Sequence, residues 1–225
     1  MTRAGALAAR MCVAALALAQ LAYVLPSERV LRELASSRKE QGGVSVEAEL
    51  SMDLPGSDTW PKIVTFDLHP EWGVRVSDDR GGRWLLRGGR TPEGNSPQIP
   101  AWLPQLDLLV GRDSARLRTR LEQSGVRLEA NELARCEAVD CFVIGGRKAR
   151  AQLWLDKDTF EIQRWVPGLG RSFVFTAYRD WGGVRFPSEI KVLDEYAAIA
   201  TLRVQRAERA LGLRESDFSA AWLRP

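Results

Sequence analysis

The stretch Val44-Ser-Val-Glu-Ala-Glu-Leu-Ser-Met-Asp53 decides the fold class. Val44, Val46, Ala48, Leu50 and Met52 alternate with Ser45, Glu47, Glu49, Ser51 and Asp53. Successive side chains of a strand point to opposite faces, so this period of two describes a strand with one dry and one wet face. Pro55-Gly56-Ser57-Asp58 turns the chain. A second strand is expected over Lys62–Leu68, with Val64, Phe66 and Leu68 on one side. Two shorter strands, Trp72–Val76 and Arg83–Arg87, are joined by the hairpin-like Asp78-Asp79-Arg80-Gly81-Gly82.

The pattern breaks over residues 88–100, where Gly88, Gly89, Gly94, Pro92, Pro97 and Pro100 predict a mobile loop. Two helical stretches follow. The first, Ala101–Val110, is very apolar, with Trp102, Leu103, Leu106, Leu108, Leu109 and Val110. The second runs from Ser114 to Ser124, capped by Asp113 and stopped by Gly125, with Leu117 and Leu121 on one face. From Val126 onward nearly everything reads as strand. Val126–Ala134 leads to a hairpin at Cys136 and Cys141, and Gly145-Gly146 turns the chain again. Ala149, Ala151, Leu153 and Leu155 alternate with Arg150, Gln152, Trp154 and Asp156. Asp156-Lys157-Asp158 turns into Phe160–Val166. Phe173 and Phe175 share one face of the next strand, and Gly182-Gly183 introduces Arg185–Leu193 and Ala197–Ala207. About ten or eleven strands at short spacing predict a mainly β chain with helices (α+β), an antiparallel meander curling towards a barrel.

Upstream of Val44, Pro26 and Ser27 start a helix, Glu28 sits in its first turn, and Val30, Leu31 and Leu34 fall on one face. Arg38 and Lys39 suit its C-terminal end, before Gly42-Gly43. Further upstream the chain reads as an export signal over residues 1–19. Arg3 and Arg10 form a basic start, Met11–Ala19 is a short apolar run, and Ala17-Leu18-Ala19 is a cleavage site that leaves Gln20 as the mature start. The apolar stretch to Leu25 is broken by Gln20 and is too short to span a bilayer. Arg10-Met11 before Cys12 does not suit a lipidation signal. Residues 20–225 then form one domain, in the range of a single large all-β unit.

The full chain has 32 basic and 29 acidic residues, and loss of Arg3 and Arg10 leaves 30 against 29. A near-neutral mature chain argues against nucleic-acid binding. Only Cys136 and Cys141 would remain, and a close pair in an exported chain predicts one disulfide. His69 is the single histidine, so a multi-histidine metal site is ruled out, and it reads as a surface residue. Gly168-Leu-Gly170-Arg-Ser172 does not match a phosphate loop, no nucleophile elbow occurs, and Asp156 and Asp158 fit a turn better than a catalytic pair. No cofactor is implied, and the chain is read as non-catalytic.

The apolar pattern carries more. An ordinary core accounts for any one aromatic residue, but one-sided strands in this number create a large apolar concave face. Its wall candidates are Leu50, Met52, Val64, Phe66, Leu153, Leu155, Ile162, Phe173, Phe175, Ile190, Leu202 and Val204. A barrel of this strand number leaves room for a ligand. Leu103, Leu106 and Leu109, tethered by residues 88–100, would close its mouth as a lid.

Three segments add a resemblance: Leu153-Trp-Leu-Asp-Lys-Asp-Thr159, Ile162-Gln-Arg-Trp165, and Phe175-Thr-Ala-Tyr-Arg-Asp-Trp-Gly-Gly-Val-Arg-Phe-Pro187-Ser-Glu-Ile190. They resemble the bacterial outer-membrane lipoprotein carrier and lipoprotein-sorting superfamily (LolA-like), most clearly over residues 140–205. The chain departs from the carrier type in its cysteine hairpin and its arginine-rich 112–120 segment. The resemblance implies an open half-barrel of eleven strands plugged by helices, in the periplasm. It implies lipid or lipoprotein acyl chains as ligand, with donor and acceptor membrane proteins in the envelope as partners. A lipid-sensing regulatory module of the same fold is the alternative, and an envelope enzyme comes third.

Overall fold

The computed structural model describes residues 24–53, 60–87, 91–96, 102–168, 170–195 and 197–224. The expected signal, the turn at residues 55–58 and most of the loop over residues 88–100 lie outside the described residues. Among the described residues no helix is long and apolar enough to cross a membrane.

The chain begins with helix α1 (Ser27–Ser37). Strands β1 (Val44–Met52), β2 (Ile63–His69), β3 (Gly73–Asp78), β4 (Arg83–Leu86) and the two-residue β5 (Glu93–Gly94) follow. A short 3-10 helix (Leu103–Leu109) and helix α2 (Ser114–Gln123) interrupt them. Then come β6 (Asn131–Cys136), β7 (Val139–Ile144), β8 (Ala151–Asp156), β9 (Ile162–Pro167), β10 (Arg171–Asp180), β11 (Arg185–Asp194) and β12 (Ala197–Arg209). Two 3-10 turns, Glu215–Phe218 and Ala220–Leu223, end the chain.

All twelve strands form one unclosed antiparallel sheet in the order β5-β4-β3-β2-β1-β12-β11-β10-β9-β8-β7-β6. The first strands walk outward from β1 to one edge. The chain then crosses through the 3-10 helix and α2, enters the other edge at β6, and returns hairpin by hairpin until β12 pairs with β1. The expected ten or eleven strands become twelve among the described residues because Glu93–Gly94, inside the Gly/Pro-rich loop, pairs with Trp84 and Leu85 of β4.

The alternation read in β1 is reproduced: Val44, Val46, Ala48 and Leu50 are buried, and Glu47, Glu49 and Ser51 are exposed. Strand β6 starts later than expected, at Asn131. Gly125 takes a positive φ of 82°, Val126 N–H donates to the Leu121 carbonyl at 3.0 Å, and residues 127–130 form a turn. Asp113 caps α2 as read, its Oδ1 accepting from Ala115 N–H at 2.8 Å and Arg116 N–H at 3.3 Å. Asp156 holds its turn in the same way, accepting from Asp158 and Thr159 N–H, each at 2.8 Å.

Cys136 and Cys141 are bridged across the β6–β7 hairpin, with Cα atoms 5.9 Å apart. Non-reducing peptide mapping is expected to recover the linked peptide. Closing so short a loop contributes about 2 kcal/mol by restricting the unfolded chain. Two freely alkylated thiols in protein from an oxidising compartment would contradict the bridge.

Candidate functional site

The concave face is built by cross-strand pairs. Leu50 of β1 faces Leu202 of β12, Leu202 faces Ile190 of β11, and Ile190 faces Phe175 of β10. The next row continues the wall: Phe173 faces Trp165 of β9, Trp165 faces Leu153 of β8, and Leu153 faces Ile144 of β7. On the other side Ala48 faces both Val204 and Val64, and Val46 faces Phe66. Leu155 faces Ile162 and Phe142. The structure therefore brings the wall candidates together. Every one is buried in a single apolar cluster except Met52, which is partly buried and packed against it.

Two wall positions depend on bulges. In β9, Leu155 faces Ile162 while Trp154 faces Arg164 and Leu153 faces Trp165, so Gln163 is the extra residue. Strict alternation from Ile162 would aim Trp165 away from the concave face. The bulge turns it inward, where it is fully buried. A similar shift opposite Glu47 and Ala48 carries β12 from Val204 to Ala207 on the buried side.

The lid residues Leu103, Leu106 and Leu109 are buried in the same cluster. Their spacing of three suits a 3-10 helix, where residues i and i+3 stack on one line. Trp102, just before them, lies 6.4 Å from Phe66 between ring centroids. The lid is one part of the cover. Helix α1 contributes Val30, Leu31 and Leu34 and α2 contributes Leu117 and Leu121, so three segments share a role expected of one.

Polar bonds hold the lid. Trp165 Nε1–H donates to Gln105 Oε1 from within the wall. Arg120 of α2 pairs with Asp107 at 3.1 Å. Burial pushes the Asp107 carboxyl above its usual range, and Arg120 opposes that shift. Arg38 donates from Nη1 to the Leu108 carbonyl. The sequence reads Arg38 only as a cation suited to the helix's C-terminal end. Instead its guanidinium is buried, which lowers its pKa, with Tyr178 and Glu161 acting in the opposite sense. Tyr178 is bonded in turn, donating to the Ile162 carbonyl at 2.9 Å.

Outside the lid lies a recess of ≈ 530 Å³, lined by Asp107 and Leu108 of the lid, Arg112 and Arg116, and His69 and Glu71 of the β2–β3 turn. Arg112 and Glu71 bridge it at 2.6 Å. His69 is partly buried, a correction to the surface reading. Its ring stacks on Trp72 at 3.6 Å, and its Nδ1 accepts from the N–H groups of Glu71 and Trp72 at 3.3 Å. Burial pushes its pKa below the ordinary histidine value, which agrees with a neutral ring acting as an acceptor. It serves as a turn anchor.

Gln105, Asp107, Arg120, Arg38 and Trp165 are the residues that sequence reasoning left out of the site. Trp165 carries a sequence signal in its aromatic cluster. The other four are polar, and only the folded register shows that they converge on the lid.

Comparison with solved structures follows from this architecture. A LolA superfamily protein from Nitrosomonas europaea matches with a TM-score of 0.53 and 14% identity, covering 88% of this chain and 100% of that one. The fold is LolA-like. A domain named as an outer membrane lipoprotein-sorting protein from Vibrio parahaemolyticus matches at 10% identity and a TM-score of 0.48, over 88% and 98% of the two chains. A DUF1329 family protein from Desulfovibrio piger matches at 9% identity and a TM-score of 0.46, over the same shares. No family model and no curated protein matches the sequence. The LolA-like half-barrel with a helical cover is thus present at an identity where the fold alone is comparable.

Proposed function

We propose that the protein is a non-catalytic carrier of the bacterial envelope that holds acyl chains of lipoproteins or other lipids between the half-barrel wall and its lid. One observation carries the reading: the apolar 3-10 helix 103–109 is seated on the concave face as a separate cover, tied to the wall by Trp165 and to the end of α1 by Arg38. An acyl chain entering the barrel would insert between the lid leucines and the wall, covered by both. Each buried methylene contributes about 0.8 kcal/mol, so two or three chains supply ample affinity. Release then requires lid motion or a partner in the receiving membrane.

The reading places the protein in the periplasm. The basic start, apolar run and Ala17-Leu18-Ala19 site support export, and the Cys136–Cys141 bridge agrees with an oxidising compartment. Protein recovered from the periplasm is expected to begin near Gln20 by N-terminal sequencing, and recovery of Met1 in a membrane pellet would overturn cleavage. A pull-down from the same fraction separates the carrier from a lipid-sensing regulatory module. Co-purified lipoprotein or lipid is the expected result. A stable complex with a regulator, without lipid cargo, would favour the module instead.

A further inference from the structure

Arg38 follows the last turn of α1 and ends in the interior. The residue is 7% exposed, and its Nη1 donates to the Leu108 carbonyl of the lid. Among the described residues its side chain makes no ion pair and no further hydrogen bond. A guanidinium carries five N–H donors and does not give up its charge. Most of those donors are therefore left over where little water reaches them. A charge held away from water without a partner is strongly unfavourable.

Arg38 lines a small recess of ≈ 70 Å³, together with Gln41, Leu109 of the lid, Glu161, Tyr178 and Arg185. A space of this size holds a group of a few water-sized atoms, and a lipid headgroup does not fit. The other polar groups of the recess are committed to one another. Arg185 holds Glu161 at 2.5 Å, so Glu161 acts on Arg38 only through space. The Tyr178 hydroxyl donates to the Ile162 carbonyl at 2.9 Å, and burial raises its pKa, which keeps the phenol neutral. Gln41 Nε2 donates to the Arg185 carbonyl at 3.4 Å. Two guanidinium groups, Arg38 and Arg185, thus stand against one carboxylate, and one positive charge is left over in the recess.

We propose that this recess is a binding site for one small monovalent anion, a halide or a formate-sized carboxylate, held by the Arg38 guanidinium. The volume and the residual charge of one select this class. The bound anion neutralises Arg38 and fixes it where it donates to the Leu108 carbonyl. Anion occupancy and closure of this end of the lid therefore favour each other. The site acts whether or not the barrel takes an acyl chain, so its test is separate from that of the carrier reading.

Crystals of the protein soaked in sodium bromide are expected to show anomalous signal beside Arg38, and excess formate is expected to remove it. In solution at fixed ionic strength, the protein is expected to broaden the chloride-35 NMR line, and formate to relieve that broadening. Phosphate is too large for the recess and is expected to leave it in place. Arg38→Met is expected to lose the formate-sensitive broadening. Lys39→Met, at the exposed neighbouring position, is expected to keep it. Circular dichroism checks that both fold, and the bromide soak of the parent decides if Arg38→Met does not. A recess that takes up no bromide overturns the proposal, as does formate-sensitive broadening that survives in folded Arg38→Met. Bromide in the crystal without chloride binding in solution marks an adventitious ion only, which overturns it too. Relief by phosphate equal to that by formate places the chloride on open surface cations, with the same consequence.

Discussion

Leu106→Asp is expected to abolish acyl uptake while leaving the sheet folded. Leu106 is buried in the centre of the 3-10 helix, between Leu103 and Leu109 on the same line. A carboxylate at a site buried among leucines loses its hydration, which drives the lid off the concave face. Loss of the leucine packing alone costs about 2–5 kcal/mol. The twelve-stranded ladder and the α1 contacts do not depend on this side chain, so far-UV circular dichroism should retain its strand signal. A bound chain would lose its roof, and each methylene left in water forfeits about 0.8 kcal/mol. Three such groups already weaken binding by more than tenfold. Titration with a fluorescent fatty acyl probe reads this directly. A variant that binds the probe as well as the parent would show that residues 103–109 are not the lid.

Trp165→Ala is expected to be the most damaging single truncation of the wall. Trp165 is fully buried, faces Phe173 and Leu153, and donates to Gln105 on the lid. Replacing a buried Trp by Ala costs about 3–5 kcal/mol. For a chain of this size that lowers Tm by about 6–20 °C. Trp165→Phe separates packing from polarity. It keeps most of the ring but removes the N–H, leaving Gln105 Oε1 with the long 3.5 Å contact from Arg120. Its cost should be about 1–2 kcal/mol. Thermal melts of both variants check the order, and a Trp165→Ala protein melting with the parent would contradict this placement.

The strands were legible because one wet face forces a period of two. Val44–Met52 and Ala151–Asp156 each declare themselves in sequence, and their glycine and Asp-Lys-Asp turns mark the hairpins. The wall was legible for the same reason, since inward positions of regular strands are the apolar ones. Bulges break that inference. Trp165 belongs to the wall because Gln163 is extra, and an insertion of one residue leaves no mark in the apolar pattern. The two-residue β5 is too short to show alternation at all. Strand β6 began late because Arg127-Leu-Glu-Ala130 has no strand pattern and Gly125 takes a positive φ.

The lid was legible as apolar helix. Its ties were not, because Arg38, Gln105, Asp107 and Arg120 are ordinary surface types until tertiary contacts enclose them. The C-terminal turns were equally silent. Arg75 and Arg83 lie over the Trp222 ring at 5.4 and 5.7 Å, so the last residues strap the outer face of β3 and β4 through contacts far apart in sequence.

The most direct test of the central claim is titration of the delipidated protein with a fluorescent fatty acyl probe. The carrier reading predicts saturable uptake, with probe fluorescence rising as water is excluded and unlabelled acyl chains competing for the same site. A delipidated, folded protein that takes up no acyl probe would contradict it.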